Sequence, residues 1–326
     1  MPSIRVDRSC YAGPNVRLDW LMATLLLVAA ACGGQRLVSP VDTARLAFTE
    51  GFDDTDFGSR GWYDLPSGGL ISISTSEHRP GSAASLQVTF PTGEEQPVPS
   101  TVARHLFPPT EAVFLRYWVK HSDNWVGSGR SFHPHEFYFL TTEDDPVAGP
   151  AWTHLTAYVE ENTQADGSHA VLETQDGRNV DTARIGHDLA RSTERRAVSG
   201  CNGSPDNTPT DCYSNGAVWD NGKAWRSARP VFLDTPGAGY KAQWHLVQAY
   251  FRLNSIARGI GQRDGVARYW VDGTLVIDRR DLMLRTGAHP SMRFNQLLIG
   301  PYMGGGSPVA QTLWIDDLAL MIGHSP

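Results

Sequence analysis

In the segment after Trp152, every second residue is one that could hold a ligand: His154, Thr156, Tyr158, Glu160 and Asn162, with Leu155, Ala157 and Val159 between them. A second segment repeats the pattern. Trp244, Leu246, Gln248, Tyr250, Arg252 and Asn254 alternate with His245, Val247, Ala249, Phe251 and Leu253. A third, Val113 to Lys120, sets Arg116, Trp118 and Lys120 on one side. A period of two is that of a β-strand, whose successive side chains point to opposite faces. Each segment therefore buries one face and offers the other. Solvated outer faces mostly carry Lys, Glu, Thr and Ser, whereas Tyr, Gln, Arg, Asn and His put planar donors and acceptors beside flat rings. That mixture suits a sugar, whose hydroxyls need paired partners and whose C–H face stacks on aromatics. The sequence predicts a common groove in which Arg116, Trp118, His133, His154, Glu160, Asn162, Gln248 and Asn254 touch a glycan. For Arg116 and Lys120 the alternative is simple pairing with acids across the sheet.

Two patterns could hold a metal. His133-x-His135 puts two imidazoles on one side of an extended segment, and His154 or Glu160 could complete a zinc or copper site, although Pro134 interrupts the pair. Hard oxygen ligands open and close the domain, with Glu50 and Asp53 near its start and Asp317 near its end. Such a set suits a structural Ca²⁺ that ties the first strand to the last, and calcium is the one cofactor expected.

These residues need a scaffold. Of the 326 residues, 32 are Gly and 21 Pro, and they are spread along the chain, which favours many short strands and turns over long helices. Runs rich in β-branched and aromatic residues appear at 70–75, 84–90, 113–121, 135–141, 153–160, 170–174, 244–253, 267–271, 274–278, 294–299 and 312–321. Asp272-Gly273 between two of them signals a hairpin, because both residues tolerate positive φ. About eleven such runs predict an all-β fold, a two-sheet β-sandwich of jelly-roll type, in a single domain over 46–326. An insertion at about 178–230, poor in strand signals, interrupts it. The net charge of −7 argues against a broad electrostatic grip on nucleic acid.

The first residues read as an address. Arg5, Arg8 and Arg17 precede an apolar run from Trp20 to Ala31, too short to cross ~30 Å of hydrocarbon. Small residues lead directly into Cys32-Gly33-Gly34, which resembles the lipobox of bacterial lipoproteins, with Ala29 where that pattern prefers leucine. The resemblance implies a signal peptide over 1–31, lipidation of Cys32, a tether over 32–45 and an extracytoplasmic, lipid-anchored protein of the cell envelope, at the outer membrane because Gly33 follows the cysteine. Membrane contact is then through the anchor alone. Cysteine counting agrees. Of Cys10, Cys32, Cys201 and Cys212, only the last two then remain to pair. A Cys201–Cys212 disulfide would clip the insertion, worth on the order of 3 kcal/mol against the unfolded chain.

Several motifs in order complete the picture: Phe114-Leu115-Arg116-Tyr117-Trp118-Val119-Lys120, Trp244-His245-Leu246, Arg252-Leu253-Asn254, Tyr269-Trp270-Val271-Asp272-Gly273, Gly304-Gly305-Gly306 and Trp314-Ile315-Asp316-Asp317. Together they resemble the concanavalin-like jelly-roll polysaccharide lyases that cleave alginate and glucuronan, above all polysaccharide lyase family fourteen. The resemblance implies β-elimination on an acidic polysaccharide. In that family a lysine follows the Trp-Val-Lys strand; here the stretch from Gly127 to Glu136 holds Arg130, His133 and His135 and no lysine. Elimination needs a carboxylate neutraliser, a base for the C5 proton and an acid for the leaving oxygen. Arg252, Gln248 or Arg116 would neutralise, His135 would be the base, and Tyr158 or Tyr250 the acid. A non-catalytic glycan-binding or structural surface lipoprotein is the alternative. Glycoside hydrolysis is disfavoured, because adjacent Glu160 and Glu161 face opposite ways.

Overall fold

Asp272 and Gly273 take φ of 49° and 77° and close a hairpin in which Val271 faces Thr274, as two positive-φ residues require. The hairpin belongs to a computed structural model that describes residues 45–65, 71–130, 133–141, 155–164, 166–176, 224–285, 287 and 290–323. In chain order the strands are β1 (Arg45–Glu50), β2 (Trp62–Tyr63), β3 (Ser72–Ser74), β4 (Ser85–Phe90), β5 (Ala103–Thr110), β6 (Ala112–His121), β7 (His135–Thr141), β8 (Leu155–Gln164) and β9 (Gly167–Asp176). They continue as β10 (Ala224–Arg226), β11 (His245–Arg252), β12 (Ile256–Ala257), β13 (Ile260–Gly261), β14 (Gly265–Val271), β15 (Thr274–Leu282), β16 (Phe294–Tyr302) and β17 (Gln311–Ile322).

Each of the eleven predicted runs contains a stretch of strand among the described residues. Two antiparallel sheets form the jelly-roll sandwich: β15-β14-β11-β6-β17-β4-β3, with β1 added beside β17, and β10-β9-β8-β7-β16-β5-β2. We call them the first and second sheet. Strand β5 escapes the sequence reading because it contains Pro108 and Pro109. Its register against β16 jumps from Thr110↔Phe294 to Leu106↔Gln296, so both prolines fall in an irregularity where no ladder N–H is needed.

Alternation holds along the inner faces. Val113, Leu115, Tyr117 and Val119 of β6 and Val247, Ala249 and Phe251 of β11 meet Phe137, Phe139, Ala157 and Val159 of the second sheet. Phe251 lies 6.1 Å from Phe139 and 6.4 Å from Phe294, bridging the sheets. Each fully buried side chain of this size contributes ~1.5–3 kcal/mol, which makes the inter-sheet layer the main source of stability.

Cys32, Cys201, Cys212, His154, the apolar N-terminal run and most of the predicted insertion lie outside the described residues.

Candidate functional site

The sheet topology corrects the idea of one shared groove. Arg116, Trp118, Gln248, Tyr250 and Arg252 do share a face, since Gln248 stands opposite Arg116, Leu246 opposite Trp118 and Tyr250 opposite Phe114. That face is the outer surface of the first sheet. His135, Tyr158, Glu160 and Asn162 belong to β7 and β8 in the second. The hydrophobic layer separates the two groups. Strand periodicity fixes which residues share a face, and long-range pairing decides which faces meet.

On the first sheet several of the predicted residues have structural partners. Tyr250 packs with Ala112, Phe114 and Val266, and burial pushes its hydroxyl up to about 12. An Arg252 guanidinium nitrogen donates to the Asp264 carbonyl at 2.9 Å. Arg79 lies over the Trp118 ring at 5.2 Å, and Lys120 donates to Glu77, in the connection between β3 and β4, at 2.6 Å. Asn254 is fully buried. Its amide oxygen accepts from Leu284 N–H at 2.7 Å and Arg285 N–H at 2.8 Å, and its nitrogen donates to the Arg285 and Ser255 carbonyls. With both its acceptor and donor sides used, Asn254 ties the end of β11 to the segment after β15.

The expected calcium ligands Glu50, Asp53 and Asp317 do not form a trio with ligand atoms within 4.8 Å of one another among the described residues. Glu50 accepts from Phe52 N–H at 2.9 Å, Arg60 Nε at 2.8 Å and Trp62 Nε1 at 2.9 Å. Asp317 is ion-paired with Arg79, and Asp53 is exposed. An arginine beside each of the first two acids already supplies the positive charge.

The second sheet brings chemistry together. Strict alternation would send His135 to the side of Phe137 and Phe139, into the core. Instead β7 bulges: His135 stands opposite Glu160, yet Phe137 stands opposite Val159. The extra residue, Glu136, turns inward, and its carboxylate accepts from Tyr117 Oη at 2.7 Å. His135 is thereby re-aimed to the outer face. There the Glu160 carboxylate is bonded to His135 Nδ1. In the neutral ring, Nδ1 donating to Glu160 leaves the lone pair on Nε2, the arrangement of a base held by a carboxylate.

Rings gather around it. His135 lies 4.6 Å from Tyr158, 5.4 Å from Tyr138, 4.2 Å from His133 and 6.2 Å from Tyr302, with which it is stacked. A row in register crosses the same face: Tyr63, Arg104, Leu298, Tyr138, Tyr158 and Glu173. Tyr302 donates to Glu95 at 3.2 Å. The turn after β16 is built on glycines. A Cβ on Gly304 would come within 2.6 Å of His133 Nε2, and one on Gly305, at φ +81°, would collide with the Arg130 guanidinium. Two bare backbone positions thus let a histidine and an arginine settle at the mouth of the cluster. Glu160, Tyr158 and His135 are 0%, 5% and about 6% exposed, so the cluster is deep. Tyr138 and Tyr302 are half-buried and Arg130 exposed, so the cluster reaches solvent at these residues.

His133 and His135 adjoin but gather no third ligand among the described residues. Tyr138, Tyr302 and Arg104 were not selected from the sequence. The Gly304-Gly305-Gly306 run was the available signal, since consecutive glycines mark close approach of other atoms to the backbone. A separate cavity of about 420 Å³ lies between Ser227–Val231 and the β14–β15 hairpin, away from this cluster.

A second polar group lies in the core. His121, Glu136 and Glu161 each offer a ligand atom within 4.8 Å of the others, the only such trio among the described residues. Burial pushes the His121 imidazole down to about 4 and both carboxyls well above their ordinary range.

No protein-family model matches the chain, and no curated protein does. Among solved structures it is similar to a marine alginate lyase from Aplysia kurodai, at 14% identity over 86% of this chain and 100% of that one, with a TM-score of 0.49. An alginate lyase from Chlorella virus matches at 12% identity, 86% and 100% coverage and a TM-score of 0.46. An endo-β-1,4-glucuronan lyase from the fungus Trichoderma reesei matches at 11% identity, 80% and 94% coverage and a TM-score of 0.40.

Proposed function

We propose that the outer face of the second sheet is the active site of a lyase that cleaves an acidic polysaccharide by β-elimination. The observation that carries the reading is the Glu160–His135–Tyr158 constellation: a carboxylate on one imidazole nitrogen, with a phenol ring 4.6 Å from the imidazole. His135 Nε2 takes the proton from C5 of a uronate, Tyr158 protonates the departing glycosidic oxygen, and Arg130 at the mouth neutralises the carboxylate. Tyr138 and Tyr302 offer rings for stacking sugar faces. We further propose that the chain is an extracytoplasmic lipoprotein anchored through Cys32, which metabolic labelling with a fatty-acid probe would test.

The test of the reaction is incubation with alginate, glucuronan and pectate while the ultraviolet absorbance of the unsaturated product is followed. A rise with one polymer that is lost in His135→Ala supports the reading, and no rise with any uronate polymer overturns it. The depth of the cluster, with Glu160 fully buried, favours a second reading in which this face binds a glycan without turnover. Retention on a polysaccharide affinity gel without product would select it.

A further inference from the structure

His121 comes from β6 in the first sheet, Glu161 and Glu136 from β8 and the β7 bulge in the second. All three side chains enter the layer between the sheets, where they are no more than 1% exposed. In a well-packed core an isolated polar group without a partner costs several kcal/mol, and a charged one more. Yet both oxygens of Glu161 and Oε1 of Glu136 have no hydrogen-bond partner, and the His121 nitrogens make only poorly aligned contacts, one of them with the Lys241 backbone. His121 Nε2 and Glu161 Oε2 approach to 2.8 Å, outside hydrogen-bonding geometry. Tyr269 is buried close enough to feel both carboxylates, beside the Tyr117 hydroxyl. Glu136 is the exception on one side, since its Oε2 accepts from Tyr117.

We propose that His121, Glu136 and Glu161 bind one divalent transition-metal ion, of the zinc type, between the two sheets. The donor set decides the class. One imidazole nitrogen with two carboxylate oxygens suits Zn²⁺ or Mn²⁺, whereas Ca²⁺ takes six to eight oxygens, which this core does not supply. The Tyr117 hydroxyl on Glu136 is the outer hydrogen bond that orients a ligating carboxylate. A dication here neutralises two buried carboxylates and joins β6 to β7 and β8, so the ion acts as a staple across the sandwich. The proposal is independent of the lyase reading, because its ligands lie on the inner faces and its test reads metal and folding.

The test uses the full chain, purified without chelator and dialysed. Elemental analysis should find about one zinc or manganese per chain, falling below about a tenth in the Glu161→Gln variant and in His121→Ala. Protein stripped by chelator and reloaded with Co²⁺ should show visible d–d absorption. Added Zn²⁺ at a hundredfold excess over its Kd should raise the melting temperature of the stripped protein by about 5 to 10 °C. If the variants fail to fold, the stripped and reloaded wild-type chain still decides. Wild-type protein with no metal and no response to Zn²⁺, Mn²⁺ or Co²⁺ overturns the proposal. So does metal kept in full by the folded Glu161→Gln and His121→Ala variants.

Discussion

Tyr158→Phe is the sharpest test of the site on the second sheet. The tyrosine ring is 5% exposed and lies 4.6 Å from both the His135 and the Tyr138 ring, contacts a phenylalanine ring would keep. Losing one hydroxyl should therefore change stability by no more than about 1 kcal/mol, a shift of about 2–4 °C in melting temperature. Its effect on chemistry should be far larger. A positioned general acid contributes about 10²–10⁴-fold, and at 1.36 kcal/mol per decade its removal raises the barrier by about 2.7–5.4 kcal/mol. The assay is steady-state release of unsaturated uronate, with kcat and KM read separately, and the loss should fall on kcat. Tyr250→Phe is the matched comparison. Its hydroxyl is also buried, but it lies on the outer face of the opposite sheet, so kcat should stay within about twofold. A Tyr158→Phe enzyme with wild-type kcat, or equal losses in both variants, would refute the assignment.

Three further outcomes follow from the geometry. Asn254→Ala leaves the buried Leu284 and Arg285 N–H groups without their acceptor, and at ~1–3 kcal/mol each should lower the urea unfolding free energy by about 2–6 kcal/mol without a local effect on turnover. Gly305→Ala forces a side chain into φ +81° and against Arg130; kcat/KM on a uronate polymer should fall about tenfold or more, and an unchanged value would remove Arg130 from the mouth of the site. Asp278 is held below the ordinary carboxylate value of 3.8 chiefly by Arg280, with Arg268 adding to it. A depressed carboxylate stabilises the fold above pH 3.8 and loses that contribution as pH falls through its lower folded value. Asp278→Asn should thus cost less than about 1 kcal/mol at neutral pH, because the pair is partly exposed, and nothing near pH 2; a constant difference across that range would contradict the pairing.

Period-two alternation and local φ preferences are legible in the residues alone, and they mark which segments are strands, which residues share a face of one strand, and where the Asp272-Gly273 hairpin turns. They also place Tyr158, Glu160 and Asn162 together on one strand face, and Gln248, Tyr250 and Arg252 together on another. They could not determine that these sets lie on opposite outer faces of the sandwich. Which strand pairs with which follows from packing between segments far apart in the chain, and β6 and β11 sharing one sheet while β7 and β8 share the other leaves no local trace. Nor could they foresee the Glu136 bulge. One extra residue there inverts the facing of His135, delivering it to the outer cluster and sending Glu136 inward to His121 and Glu161. Both the candidate active site and the buried polar trio depend on that single break in alternation, which only the pairing of β7 with β8 imposes.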